Sequence, residues 1–555
     1  MKKLLLFLFL IIFFQVTAQE DAWIFLKDKP NTTLFLENPL TMLSQRALDR
    51  RSKLSIPLDG IDVPIDNTYY DQIKNQVNIS ILGKSKWLNV IHVKGEVTDI
   101  NSLQSQFSFI DHIEFANKLI NTNRKFKPTR IVSNHYHKLQ QTLTDFQYGQ
   151  ADNQIKMLKG DYLHAQGLTG DGQIIAIIDA GFPNVNTLDA FQRIRENNQI
   201  LGGYNFADRN KDIYTRNSHG THVLSSIAGY VENEFVGTAP DANFYLFITE
   251  ISETETVLEE TLWVEAAERA DSLGVDVINT SLGYTTYDNP NHSYSYQDMD
   301  GKTTFISRGA EIGASRGLLL VNAAGNSGNS SWKYIGAPAD APSVISVGAV
   351  NASKGIAPFS SFGPTADGRI KPEILGQGQN PALIDYSTGK ITTSSSGTSF
   401  SSPIIAGLIA CLNQREDPLM TSKTATDNLN TYLKSAVYES ADRFAIPLDQ
   451  YGYGIPNFET ALKKYIGSFT TDDPKTLLSE LTISPNPTNN FIRISADGDS
   501  LNGFSIQIFN ILGRKILENT YLKSETIVLS SLKKGIYLLK VSKNNHHKIF
   551  KLIKK

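Results

Sequence analysis

The sequence predicts an α/β fold: a parallel sheet buried between helices, with a small α+β domain before it and an all-β domain after it. Three observations support this class. Ile174-Ile175-Ala176-Ile177-Ile178 and Leu318-Leu319-Leu320-Val321 are unbroken apolar runs, and a strand covered on both faces needs no polar alternation. Both runs end in punctuation, Asp179-Ala180-Gly181 and Ala323-Ala324-Gly325-Asn326, at the carboxyl ends where open α/β sheets assemble their sites. Two stretches of small apolar residues, 223–229 and 404–410, have the composition of helices packed on such a sheet.

From the N-terminus, Lys2-Lys3 precede an apolar run over 4–14, and Val16-Thr17-Ala18 offers small residues for cleavage. This order defines a secretory signal peptide over residues 1–18. The run is too short to span a bilayer, and no later segment has about 18 consecutive apolar residues. The mature protein is expected to be exported and soluble, without a transmembrane segment. A chain of 555 residues exceeds one hydrophobic core and calls for about three or four domains. At 41% hydrophobic and 10% aromatic the composition is globular, and a net charge of −3 gives no basis for a nucleic-acid partner. Cys411 is the single cysteine, so no intramolecular disulfide forms and stability rests on packing, with bound ions the other source.

Within residues 19–146, 86–93 reads as a strand, 98–107 as a short helix and 110–115 as a second strand. The basic, polar stretch 121–138 reads as a linker. In the sheet-forming part, 147–467, Ser218-His219-Gly220-Thr221-His222-Val223 leads into one small-residue helix. Gly397-Thr398-Ser399-Phe400-Ser401-Ser402-Pro403 leads into the other. A serine at a helix start points its hydroxyl to where the dipole and free N–H groups favour negative charge. That suits a nucleophile that forms an oxyanion beside itself, although serine there is also an ordinary N-cap. The hydroxyl needs a base with a pKa near working pH, which histidine supplies. The imidazole in turn needs an acceptor for its other N–H, and a carboxylate at a strand end is a fixed one. His219 and His222 are spaced as a metal pair could be, but no Cys or Glu stands at usual ligand spacing nearby.

Ile177-Ile178-Asp179-Ala180-Gly181, His219-Gly220-Thr221-His222-Val223, Ala323-Ala324-Gly325-Asn326 and Gly397-Thr398-Ser399 occur in that order. With them the chain resembles the subtilisin-like serine proteases (subtilases) over 148–465. The resemblance implies a subtilisin-like sheet and a serine endopeptidase acting on protein or peptide substrates through an acyl-enzyme. On these positions Ser399 would be the nucleophile, His219 the general base and Asp179 the group that orients the imidazole. The Asn326 side chain would donate to the oxyanion beside the Ser399 N–H. Residues 274–283 read as a strand entering an edge, and within it Ser281-Leu282-Gly283 would pair with extended substrate and wall the primary specificity pocket. Ala323-Ala324-Gly325 would be the opposite wall.

Tyr284 stands where the family often has a second glycine, which leaves subsite width open. The stretch 285–301, rich in Tyr, Asn, Asp and Ser, reads as a solvated surface loop. Residues 247–270 read as an amphipathic helix, with the acidic run 250–260 as its solvated start. No cofactor is required for catalysis; a structural calcium ion is compatible with that acidic run, but no pattern assigns its ligands and the metal set stays unknown. The competing class is a catalytically idle surface binding protein, an adhesin, on the same scaffold. The intact set of Asp179, His219, Asn326 and Ser399 argues against it.

By position and pattern, 19–146 resembles a subtilase pro-region, an inhibitor and folding template, with an independent binding domain as the alternative. Beyond a linker at 468–475, residues 476–555 carry short alternating runs at 491–494, 505–508 and 527–529, the pattern of a small β-sandwich. The Pro485-Asn486-Pro487-Thr488 start, the Asn510-Ile511-Leu512-Gly513-Arg514 turn and the Gly535-Ile536-Tyr537-Leu538-Leu539 strand resemble the C-terminal sorting domain of the type IX secretion system. That resemblance implies export machinery as a partner and a secreted or cell-surface location.

Overall fold

The structure, a computed structural model, describes residues 19–121, 146–415, 429–470, 481–495, 505–511, 513–521, 526–543 and 546–555. The signal peptide, and the linker read at 121–138 beyond Asn121, lie outside them. The chain forms two compact units, one up to Leu462 and one from Lys463.

The first unit opens with an antiparallel sheet of β1 (Glu20–Leu26), β2 (Ser80–Ser85), β3 (Val90–Gly95) and β4 (Ile110–Phe115), in the order β2-β3-β1-β4. Helices α1 (Thr32–Glu37), α2 (Gln45–Lys53), α3 (Asn67–Lys74) and α4 (Val97–Gln106) accompany it. The expected strand–helix–strand is β3, α4 and β4. The sequence reading passed over β1, β2 and the first three helices because each is short and begins or ends in polar residues. Ser44 and Asp66 nevertheless cap α2 and α3 by accepting backbone N–H groups of the first turn. Strand alternation gives the sheet two apolar faces. Ala22, Ile24 and Leu26 join Ile91, Val93, Ile100 and Leu103 in one core, while Trp23 faces the rest of the unit.

Short α5 (Asp152–Lys156) and α6 (Gly160–Ala165) lead into the main sheet. Its strands are β5 (Ile174–Asp179), β6 (Ile200–Asn205), β9 (Asn243–Ile248), β10 (Val277–Thr280), β11 (Leu319–Ala323), β12 (Ile345–Val350) and β13 (Ile374–Gln377). They run parallel in the order β13-β12-β11-β10-β5-β9-β6. The two apolar runs are β5 and β11, both buried along their whole length. Between β5 and β6 lies α7 (Gln192–Glu196), and β7 (Tyr230–Val231) and β8 (Phe235–Val236) form a small hairpin.

Helix α8 (His219–Ala228) packs on one face of the sheet together with α11 (Thr398–Asn413). The opposite face, carrying Ile174, Ala176 and Ile178, packs on α9 (Leu258–Leu273) and α10 (Phe305–Ser315). A second small hairpin pairs β14 (Leu383–Ile384) with β15 (Ile391–Thr392), and α12 (Leu429–Glu439) and α13 (Phe458–Thr470) follow. Cys411 is a buried core residue on α11, its thiol donating to Thr238 O.

Two expectations are corrected. The stretch 247–270 is not one helix, because β9 continues to Ile248 and α9 begins at Leu258. Its acidic start is solvated only in part: Glu253 is exposed, but Glu259 and Glu260 are fully buried. Nor is 285–301 a solvated loop, since Tyr287 and Tyr294 are buried and both donate to Glu260 Oε1 at 2.6 Å.

The N-terminal sheet docks on α9 and α10. The Trp23 indole N–H donates to Thr261 Oγ1 at 3.0 Å and its ring stacks on Phe305. Glu268 accepts from Ser85 Oγ and Trp87 N, and Asp271 lies between Arg50 and Arg51.

The second unit is the expected sandwich. One sheet contains β16 (Thr482–Ser484), β17 (Phe491–Ser495) and β20 (Thr526–Val528). The other contains β18 (Ser505–Asn510), β19 (Lys515–Tyr521), β21 (Gly535–Lys543) and β22 (His546–Lys554). Alternate residues such as Ile492, Ile494, Ile506, Ile508, Leu539 and Val541 fill its core. At the edge strand β22, Thr488 N donates to Ile553 O and Lys555 N to Thr488 O, which occupies backbone groups that would otherwise invite another strand.

Candidate active site

Asp179 is the last residue of β5 and is fully buried. Its Oδ1 accepts from Ala180 N at 2.7 Å and lies 2.7 Å from His219 Nδ1. His219 is the first residue of α8, and the helix can begin this close because Gly220 follows it. A Cβ at 220 would sit 2.4 Å from Gly181 O and 3.0 Å from Asp179 Cβ. Burial pulls the His219 pKa down, but the charge and hydrogen bond of Asp179 outweigh it and hold the imidazole above its ordinary value, with Glu250 adding to the effect.

Ser399 is the second residue of α11, and the Phe400 ring beside it lies 5.8 Å from the His219 ring. The expected positions are thus brought to one place, at the carboxyl end of β5 and the amino ends of α8 and α11. The Ser399 hydroxyl, however, donates to Ser281 O at 3.3 Å in place of His219. Asn326 is fixed by its Oδ1, which accepts from Thr398 N at 2.8 Å and from Thr398 Oγ1 at 3.1 Å. That leaves its Nδ2 as the donor for the cleft. Gly325 N donates to Thr398 Oγ1, and the positive φ of Gly325, 107°, suits glycine.

Ser281-Leu282-Gly283 leaves the end of β10, and Ala323, Ala324 and Gly325 leave the end of β11. The two segments are tied by Asn322, whose Nδ2 donates to Leu282 O at 3.1 Å and Ala323 O at 2.8 Å. Tyr284 does not enter the cleft. It is buried, its backbone pairs with Ala337, and its hydroxyl donates to Glu250 Oε2 at 2.8 Å.

The sequence reading missed Gly220, Glu250, Asn322 and Thr398. A signal existed for Asn322, a polar residue within an apolar buried strand, where an unpaired amide is costly. His222 is turned away from a metal pair: its Nε2 accepts from Tyr386 N at 3.4 Å, and burial lowers its pKa.

Among the described residues, the carboxylates of Glu250, Glu255 and Glu259 lie within 4.8 Å of one another and could hold a cation. Glu259 already accepts Ile251 N and Thr256 N. Burial, then the Glu250 charge, push its pKa up to about 9.

Family models match three parts of the chain. Residues 170–454 match the subtilase family, 21–131 the peptidase S8 propeptide domain of Bacteroidota, and 482–555 a secretion system C-terminal sorting domain. Subtilisin DY of Bacillus licheniformis is 31% identical over 311 residues, 55% of this chain and 97% of that protein. Subtilisin NAT of Bacillus subtilis subsp. natto is 28% identical over 397 residues, 69% of this chain and 87% of that protein. The solved structure of the prenylagaramide maturation protease PagA is 22% identical, covers 56% of this chain and 98% of its own, and has a TM-score of 0.42.

The chain belongs to the subtilase family and is a serine endopeptidase of the subtilisin type. It carries a propeptide domain and a type IX sorting domain, the latter indicating export to the cell surface or medium. No described helix is long and apolar enough to cross a membrane.

Proposed function

We propose that this protein is an exported zymogen whose mature form cleaves peptide bonds with Ser399 as nucleophile, His219 as base, Asp179 as its orienting carboxylate and Asn326 as oxyanion donor. The observation that carries this reading is the 2.7 Å contact between His219 Nδ1 and Asp179 Oδ1. With the proton on Nδ1 committed to a buried carboxylate, Nε2 is left as the basic nitrogen for Ser399.

The chemistry follows from these groups. Nε2 takes the Ser399 hydroxyl proton as Oγ attacks the scissile carbonyl carbon. The resulting oxyanion receives hydrogen bonds from Asn326 Nδ2 and Ser399 N–H. Imidazolium then protonates the leaving amine, leaving an ester on Ser399. Water, activated by the same nitrogen, releases the acyl group and restores the serine. An extended substrate would lie along Ser281-Leu282-Gly283, its side chain before the scissile bond entering between that segment and Ala323-Ala324-Gly325.

In this reading residues 1–18 are removed on export, 19–146 act as pro-region, 147–467 hold the peptidase and 476–555 engage the export machinery after a linker at 468–475. Mass spectrometry after incubation with a fluorophosphonate probe tests the chemistry and both mature termini together. The expected result is a single labelled serine, Ser399, and loss of labelling and hydrolysis in a folded Ser399→Ala protein. Near wild-type turnover in Ser399→Ala would refute the assignment, and an inert, folded wild-type protein would favour the binding-protein reading.

A further inference from the structure

Pro403 lies inside α11, four residues after Ser399. In a regular helix the N–H of residue 403 would donate to the carbonyl of residue 399. Proline has no N–H, and its ring crowds that same carbonyl. The carbonyl of Ser399 therefore lacks its helical donor while being buried at the start of the helix.

The segment that follows β10 supplies the donor. Ser281 Oγ donates to Ser399 O at 2.8 Å. Asn279 Nδ2 donates to Ser281 Oγ at 3.1 Å, and Ser402 Oγ donates to Asn279 Oδ1 at 2.8 Å. The chain of bonds leaves α11 at Ser402, crosses the end of β10 and returns to α11 at Ser399. Ser402 and Asn279 are completely buried, and Ser281 and Ser399 nearly so.

Its direction is dictated by one end. A backbone carbonyl can only accept, so Ser281 must donate to it and must itself accept from the Asn279 amide nitrogen. That turns the Asn279 oxygen to Ser402, which must donate. Each side chain in the chain of bonds finds its partner in this single arrangement, which pairs the amide of Asn279 within a four-residue buried strand.

We propose that Asn279 and Ser281 are positioning residues for the nucleophile. Through the carbonyl that Pro403 leaves without a helical partner, they fix the Ser399 backbone on the substrate-binding segment. The direction of the Ser399 Cα–Cβ bond and of its N–H are set together by this anchorage. Ser281 thereby acts on the reacting atoms as well as forming a wall of the specificity pocket. The inference rests on Ser399 being the nucleophile.

The test compares mature wild-type enzyme with Ser281→Ala, Pro403→Ala and the double variant Ser281→Ala/Pro403→Ala. The readouts are the rate constant for fluorophosphonate labelling and kcat and KM on one peptide. Ser281→Ala is expected to lower labelling and kcat about tenfold or more, with KM changed less than about twofold, because a displaced nucleophile costs rate and not ground-state binding. The double variant should recover most of the loss, since replacing Pro403 by alanine restores the N–H that the carbonyl needs. A residue that served only as a pocket wall would show no such rescue.

Ser281→Ala labelling at the wild-type rate, a loss confined to KM, or a double variant no better than Ser281→Ala would each overturn the proposal. Should Ser281→Ala fail to fold, Asn279→Ala and Ser402→Ala serve instead. Each should slow labelling, and the pair together should cost less than the product of the single effects, because both break one chain. Wild-type labelling in both singles overturns the proposal. A wild-type enzyme that does not label at all refutes the triad reading, a result distinct from any of these.

Discussion

At His219 two effects oppose each other. Burial favours the neutral ring, whereas the Asp179 carboxylate at 2.7 Å favours the cation, and the carboxylate prevails. Only the neutral imidazole accepts a proton, so kcat/KM is expected to climb with pH along a limb centred above about 6.5. Asp179→Asn removes the charge, so the same limb should move to lower pH while kcat falls by orders of magnitude. A pH–rate profile of both proteins checks the sign, and an unmoved limb would detach Asp179 from His219.

Asn326 is held by two hydrogen bonds into its Oδ1, and in the proposed mechanism its donor meets charge that exists only in the transition state. Asn326→Ala should lower kcat by about 100- to 1,000-fold with little change in KM. Weaker substrate binding with kcat preserved would make the residue structural. These residues were legible because motifs name them. The roles of Asn322 and Thr398 were not, since they depend on which strand or helix end lies opposite.

Among the elements, the approach to α9 departs furthest from its sequence reading. An acidic run is ordinarily a solvated face, but here Glu260 anchors two loop tyrosines and the N-terminal sheet covers the helix. Burial, then the charges of Glu250 and Asp288, push Glu255 up to about 7. The folded state thus holds this proton more tightly than the unfolded chain, so the associated stability is present at low pH and lost as pH rises through about 7. Glu255→Gln should therefore raise the melting temperature at pH 8 and leave it nearly unchanged at pH 5, both measured in chelator. An equal shift at both pH values would rule out the carboxylate charge as the cause.

On the same helix, Asp271 is fully buried between Arg50 and Arg51. Asp271→Ala leaves the buried Arg50 guanidinium without a carboxylate and Arg51 with Asp62 alone, and removing one partner of such a set costs about 3–5 kcal/mol. Denaturant unfolding of the uncleaved protein in a Ser399→Ala background should show that loss. A change below about 1 kcal/mol would mean that the arginines find water or other partners.

On the scale of the whole molecule, chemistry and address are carried by different units. All four site motifs lie before Leu462, and the sandwich has its own core. A chain ending at Asp473, with signal and pro-region kept, should mature into an active peptidase yet remain in the periplasm of its native host. Peptidase assays on purified enzyme and cell fractionation decide this. Loss of activity in correctly processed enzyme, or unchanged export, would refute the separation.

By itself the sequence determined the fold class and the order of the domains, and its motifs name the candidate site residues. Each of these is written in contiguous residues: apolar runs for β5 and β11, small-residue turns before α8 and α11, and alternating runs for the sandwich. The tertiary structure decided whatever depends on residues distant in the chain. Tyr284 turns away from the cleft because Glu250 lies within reach of its hydroxyl. The acidic start of α9 is buried because loop tyrosines and backbone N–H groups satisfy its carboxylates. The Ser399 carbonyl is held by Ser281, 118 residues earlier, because Pro403 removed the local donor. A buried polar group must be paired, but its partner is chosen by packing.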